Sequence, residues 1–174
     1  TRELAVGLAV SQQEAKTSLL DTPFPLSNGA DERGRTRISA IRLFQEWSSR
    51  SNRNVFLARS QFSLGIDALN ATINGSPPDG RFIAWRGQAL WLRKLTEDLT
   101  LVLKGDLQLA DRPLVSLEQI GLGGATTVRG YRQDTLISDN GVLLSAELRW
   151  AIWQNETDRL QIVPFFDIGS AWNR

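Results

Sequence analysis

The chain has 174 residues, 20 Lys+Arg against 19 Asp+Glu, and a formal net charge of +1. One domain fits that length, and the near-zero charge lacks the basic stripe expected of a nucleic-acid partner. Having no Cys and no His, it excludes an N/S zinc site, a Ser-His-Asp or Cys-His arrangement and a disulfide framework. No apolar run approaches the roughly 18 residues of a membrane helix, yet 41% of the residues are hydrophobic and six are Trp.

Taken in chain order, seven segments alternate apolar and polar with period two, the signature of strands. In residues 3–16 the apolar set is Leu4, Val6, Leu8 and Val10. Residues 35–48 alternate least cleanly, with Ile41, Leu43 and Trp47 opposite Arg42 and Glu46. Residues 53–69 set Phe56, Ala58, Phe62, Leu64, Ile66 and Ala68 against Arg59, Gln61, Ser63 and Asp67. Residues 81–95 set Ile83, Trp85, Ala89 and Trp91 against Arg86, Gln88 and Lys94. In 99–110 the Leu99, Leu101, Leu103, Leu107 and Leu109 row opposes Thr100, Lys104, Asp106 and Gln108. Residues 111–141 read as one long structureless loop, a feature that is usually functional. Residues 142–153 set Val142, Leu144, Ala146, Leu148, Trp150 and Ile152 against Ser145, Glu147 and Arg149. Residues 159–172 set Leu160, Ile162, Pro164, Phe166 and Ile168 against Gln161 and Asp167.

Ordinary strands run about five to six residues, whereas a tilted bilayer-spanning strand needs about 9–11. Long and short connections alternate, as in outer-membrane barrels. Trp47, Trp91 and Trp153 flank short turns, and Trp85 and Trp172 lie toward long-loop ends, as an interfacial girdle requires. The expected fold is all-β: part of an antiparallel transmembrane β-barrel of about seven consecutive long strands. Arg42, Arg59, Arg86, Lys104 and Arg149 would face a polar lumen. Alternation also fits a soluble β-protein whose apolar faces converge on a ligand-binding interior. The chain starts at Thr1, carries no signal peptide and stops abruptly after Ala171-Trp172-Asn173-Arg174, so a piece of a longer protein is expected.

Within 111–141 lies Val128-Arg129-Gly130-Tyr131, then Ser138-Asp139-Asn140-Gly141, then a Glu147-bearing strand, then Phe165-Phe166-Asp167-Ile168-Gly169. This series resembles the two-partner secretion outer-membrane translocators, or haemolysin activation/secretion proteins, of the POTRA-carrying barrel superfamily. The resemblance covers the whole chain and is strongest from Leu117 to Trp172.

It implies a sixteen-stranded barrel of which these would be strands seven to thirteen. The 111–141 loop would fold into the lumen with VRGY at its tip, and Phe165, Asp167 and Gly169 would be the motif positions of a later strand. POTRA domains, which would recognise the client, are absent from this chain. The implied function is export of an unfolded partner exoprotein across the bacterial outer membrane, in contact with lipid, with no enzymatic step, cofactor, metal or nucleic acid. A barrel-assembly insertase of the same superfamily and a diffusion porin are the other membrane readings.

Alternation puts Glu147 and Asp167 on the same polar face. From spacing alone, Arg129 either bridges them or is a solvated loop residue while Glu147 pairs with Arg149 or another lumen base. The resemblance implies the bridge.

Overall fold

A computed structural model describes residues 1–174. The chain forms twelve strands and no helix: β1 (Arg2–Lys16), β2 (Ser18–Leu19), β3 (Thr22–Pro23), β4 (Arg35–Arg50), β5 (Asn54–Ile66), β6 (Ile83–Lys94), β7 (Leu99–Ala110), β8 (Ile120–Leu122), β9 (Leu136–Ser138), β10 (Asn140–Gln154), β11 (Arg159–Ile162) and β12 (Phe165–Trp172). The main sheet is antiparallel, in the order β1-β4-β5-β6-β7-β10, and β11 and β12 both pair with the far side of β10. It does not close, because β1 and the β11–β12 edge each have a partner on one side only.

β11 and β12 are one long strand broken at Val163-Pro164. Pro164 has no N–H to give to a ladder, and such a residue sits at a break or bulge in the pairing. Its carbonyl still accepts from the Leu148 amide at 3.0 Å. A register shift in β10 between Ala151 and Trp153 takes up the irregularity. The continuous strand expected over 159–172 is therefore two ladders. The strand expected over 53–69 also stops earlier, at Ile66, and the chain turns through Leu69 and Asn70 at φ 52° and 61°.

Registered partners in antiparallel strands share a face. Glu46, Arg59, Gln88, Asp106 and Leu143 are registered in a row, as are Lys104, Ser145 and Asp167. This inner face carries the 111–139 loop. On the outer face Leu8 is 70% exposed, Leu144 57% and Phe166 66%. In a soluble β-protein those side chains would fill the core, so the reading of apolar faces converging on an interior fails. Trp47, Trp150, Trp153 and Trp172 are exposed as well. Trp47 meets Phe56 edge-on with centroids 5.3 Å apart, beside the β4–β5 turn.

The inner face is not polar throughout. Near the long-loop ends, Ile38, Ala40, Phe82, Ala84 and Ala110 form a buried apolar cluster, closed from above by Leu114 and Val115 at the start of the loop. Ile38 and Ala40 take the alternate positions of β4 that are polar further along. This is why residues 35–48 alternate least cleanly. A lid of loop over the strand ends turns that part of the inner face into a core.

Candidate functional site

The 111–139 segment is not structureless. β8 and β9 pair into a short hairpin, with Ile120 registered on Ser138 and Leu122 on Leu136. The connection between them carries VRGY. Gly123, Gly124 and Gly130 have φ of 115°, 100° and 91°, a region that other residues enter only with strain. The hairpin is seated by Ile120, Leu122 and Leu143, with Val128 and Ala171 packed against them.

At Gly169 the hairpin meets the wall. A Cβ there would lie 3.0 Å from Val128 Cγ2 and 3.2 Å from Leu122 Cδ1. A methyl there would press Val128 and Leu122 back by a few tenths of an ångström, and a larger side chain would have no room. Overpacking of this kind typically costs about 1–3 kcal/mol. Gly169→Leu is therefore expected to lift the hairpin from β12 while Gly169→Ala shifts it slightly. Protease cleavage near Tyr131 checks this: Gly169→Leu should be cut faster than the parent and Gly169→Ala nearly like it.

Arg129 is the centre of the site. Its Nε donates to Asp167 Oδ2 at 2.7 Å and its Nη2 to Asp167 Oδ1 at 2.7 Å. Its backbone amide donates to Asp167 Oδ2 at 3.1 Å. Nη1 donates to Glu147 Oε1 at 2.9 Å, and Nη2 also reaches Ser145 Oγ at 3.2 Å. The guanidinium carbon sits 3.6 Å from the ring centroid of Phe165. A planar fork, two carboxylates and an aromatic face are what a guanidinium can serve together and an ammonium cannot. Asp167 and Glu147 keep only 2% and 8% of their side-chain surface exposed, Arg129 23%. Donating to Asp167's carboxylate holds the Arg129 guanidinium, which lies on the loop, still more firmly protonated than usual.

Glu147 meets both arginines, and Arg129 is not a solvated loop residue. Glu147 Oε1 accepts from Arg129, while its Oε2 accepts from Arg149 Nη2 at 2.8 Å. Lys104 Nζ is 3.9 Å from the same carboxylate. The remaining inner-face cations also have partners: Arg59 with Glu46 at 2.5 Å, Arg86 with Asp106 at 2.7 Å, Arg42 with Glu118 at 2.5 Å. Arg59 also lies over the Phe44 ring at 4.7 Å. Tyr131 is 65% exposed at the end of the tetrad. Beside it a cavity of about 300 Å³ opens between the hairpin and β12, lined by Val128, Leu136, Ile168 and Gly169.

Three contributors, one of them the adjacent pair Asp139–Asn140, carry no role from sequence reasoning. Ser145 adds a hydroxyl to the Arg129 site; its place in the Lys104–Asp167 row follows only from the register. Asp139 and Asn140 anchor the loop root. Buried Asp139 accepts from the amide of Leu114 at 2.9 Å, from Gln119 Nε2 at 2.9 Å and from the Arg174 amide at 3.1 Å. Asn140 Oδ1 accepts from the Ala110 amide at 2.8 Å. The Asp-Asn-Gly signal is visible in the sequence, but its partners are dispersed from 110 to 174. Glu118 is the third; nothing near it in sequence announces Arg42.

A family model described as "Haemolysin secretion/activation protein ShlB/FhaC/HecB" matches residues 3–174. The outer membrane transporter CdiB of Dickeya dadantii (strain 3937) is 26% identical over 160 residues, which is 88% of this chain and 27% of that protein. The outer membrane transporter CdiB of Escherichia coli O6:K15:H31 (strain 536 / UPEC) is 29% identical over 79 residues, 45% of this chain and 13% of that protein. The solved structure of CdiB from Escherichia coli shares the fold with a TM-score of 0.78 at 19% identity, over 95% of this chain and 31% of that one. The chain thus spans less than a third of the length of these relatives. With its antiparallel open sheet, outward apolar face and inward VRGY loop, and with the family model matched from residue 3 to residue 174, the chain belongs to the haemolysin secretion/activation family.

Proposed function

We propose that this chain is a sector of the wall of a bacterial outer-membrane pore through which a partner exoprotein is exported by two-partner secretion, together with the loop that occupies the pore. One observation carries most of this reading: Arg129 of the loop is held by Asp167, Glu147 and Ser145 on the inner face, while the opposite face is apolar and exposed. Lipid covers such a face, and strands of 12 to 16 residues are long enough to cross the hydrocarbon. The inner face offers ion pairs and amides to an extended, hydrated polypeptide. The pore carries out no catalytic step in this reading; its carboxylates hold cations and orient no reacting group.

The test uses the full-length protein that carries this chain. Its depletion from the cells of origin should remove one large protein from the medium, found instead in or degraded from the periplasm, by mass spectrometry of both fractions. An unchanged medium overturns the reading. A general loss of outer-membrane proteins, with no single secreted protein affected, would indicate an assembly insertase instead.

A further inference from the structure

We propose that Glu118 and Arg42 form a second fastening of the loop, independent of Arg129, that sets how far the loop reaches across the inner face and so the width of the passage beneath it. The width, though not the fastening, rests on the pore reading above.

Glu118 lies before the hairpin, and its backbone is tied to the wall where it starts. Its carbonyl accepts from Gln108 Nε2 of β7 at 2.9 Å, and its amide donates to the Val115 carbonyl at 2.9 Å. Its side chain points away from β7. Both oxygens meet Arg42 of β4, Oε1 at 2.5 Å and Oε2 at 3.1 Å. β4 and β7 are three strand spacings apart in the sheet, about 14 Å along the sheet. One residue thus struts across β5 and β6. Arg42 is itself braced, donating to Ser63 Oγ of β5 at 2.8 Å and Ser11 Oγ of β1 at 3.2 Å.

The pair is nearly dry, at 14% and 9% side-chain exposure. Each is the other's sole ion-pair partner, so removing either leaves a charge without relief. Its polarity is the reverse of the Arg129 site: here the loop supplies the acid and the wall supplies the guanidinium. The two fastenings share no residue. Along the inner face from the strut, a cavity of about 620 Å³ opens between Thr126 of the hairpin and Glu46, Arg59, Gln88, Lys104 and Asp106 of the wall. A strut that holds the loop at two points over that space fixes its height.

The test places a single reporter cysteine at Thr126, which the absence of cysteine from this chain permits. The full-length protein, otherwise cysteine-free, is inserted in liposomes and labelled with a membrane-impermeant maleimide. Glu118→Gln and Arg42→Gln should each raise the labelling rate about tenfold, the change that follows from losing about 1.4 kcal/mol of restraint. The exchanged pair, Arg42→Glu with Glu118→Arg, should return it toward the parent rate. Arg129→Ala should raise it further in either background. Parental labelling in Glu118→Gln, or an exchanged pair as fast as the single variants, overturns the proposal. If the glutamine variants fail to insert, Glu118→Asp keeps the charge with a shorter reach. It should label faster than the parent, and no increase overturns the proposal.

Single-channel conductance in planar bilayers separates the two readings. Wider openings in Glu118→Gln support a strut that sets the passage. Faster labelling in a protein whose parent forms no channel would refute the pore while leaving the fastening in place.

Discussion

Arg129→Ala is expected to leave the full-length protein inserted in the outer membrane and to cut exoprotein export by about tenfold to a hundredfold. The substitution strands one carboxylate and loosens another. Asp167 loses both guanidinium bonds and its cation, keeping only the residue-129 backbone amide among the contacts Arg129 makes to it, while Glu147 keeps Arg149 and the more distant Lys104. Breaking a buried pair by removing one member costs about 3–5 kcal/mol where the site is dry and less where water enters. Each 1.4 kcal/mol is about tenfold, and with Arg129 23% exposed the site is not fully dry, which gives the expected range. The loop root remains fixed by Asp139, Asn140 and the Leu114–Val115 cluster, so the tip moves and the barrel stands. Arg129→Lys should recover little, because an ammonium cannot reach Asp167 in a fork, Glu147 and Ser145 together. Asp167→Ala combined with Arg129→Ala should be no worse than either alone, since contacting partners do not add. Heat-modifiable gel mobility measures insertion, and the amount of exoprotein in the medium measures export. Full export from an inserted Arg129→Ala protein would remove the loop fastening from the transport mechanism.

The parts of this structure that the sequence displays are those written with a fixed period. Leucines at five of the six odd positions of 99–110 and arginines opposite the aromatic rows of β5 and β6 already separate the two faces. Motif spacing, through the family resemblance, also led to Arg129, Asp167 and Glu147, which the fold brings within hydrogen-bonding distance. Features that depend on register or on distant pairing were not legible. Ser145 joins the site only because β10 and β12 align it with Asp167. Glu118 and Arg42 are 76 residues apart, and no local pattern links a loop acid to one wall arginine among several. The β8–β9 hairpin is two strands of three residues, too short for a period to emerge. The apolar patch of Ile38, Ala40 and Phe82, which blurs the alternation of 35–48, is the footprint of the loop root.

The largest effect on assembly is expected from a charge on the outer face. Leu103 is near the middle of β7, on the row that also holds Trp91 and Ala146. Leu103→Arg places a guanidinium against lipid, where an Arg near the bilayer midplane costs about 2–4 kcal/mol in a β-barrel. That is about thirtyfold to several hundredfold in the folding equilibrium, enough to divert most chains from the heat-modifiable, outer-membrane form. Gln88→Arg is the matched control. It puts the same side chain one strand away on the inner face, beside Asp106, which already accepts from Gln88 at 3.0 Å. It should insert like the parent. The contrast depends on the face alone, since both positions lie in the central part of long strands and both gain one positive charge. In a water-soluble β-protein whose leucines pointed outward by accident, Leu103→Arg would be the harmless change of the two. Equal insertion of both variants would therefore refute the assignment of the apolar face to lipid, and with it the membrane-spanning reading of all seven long strands.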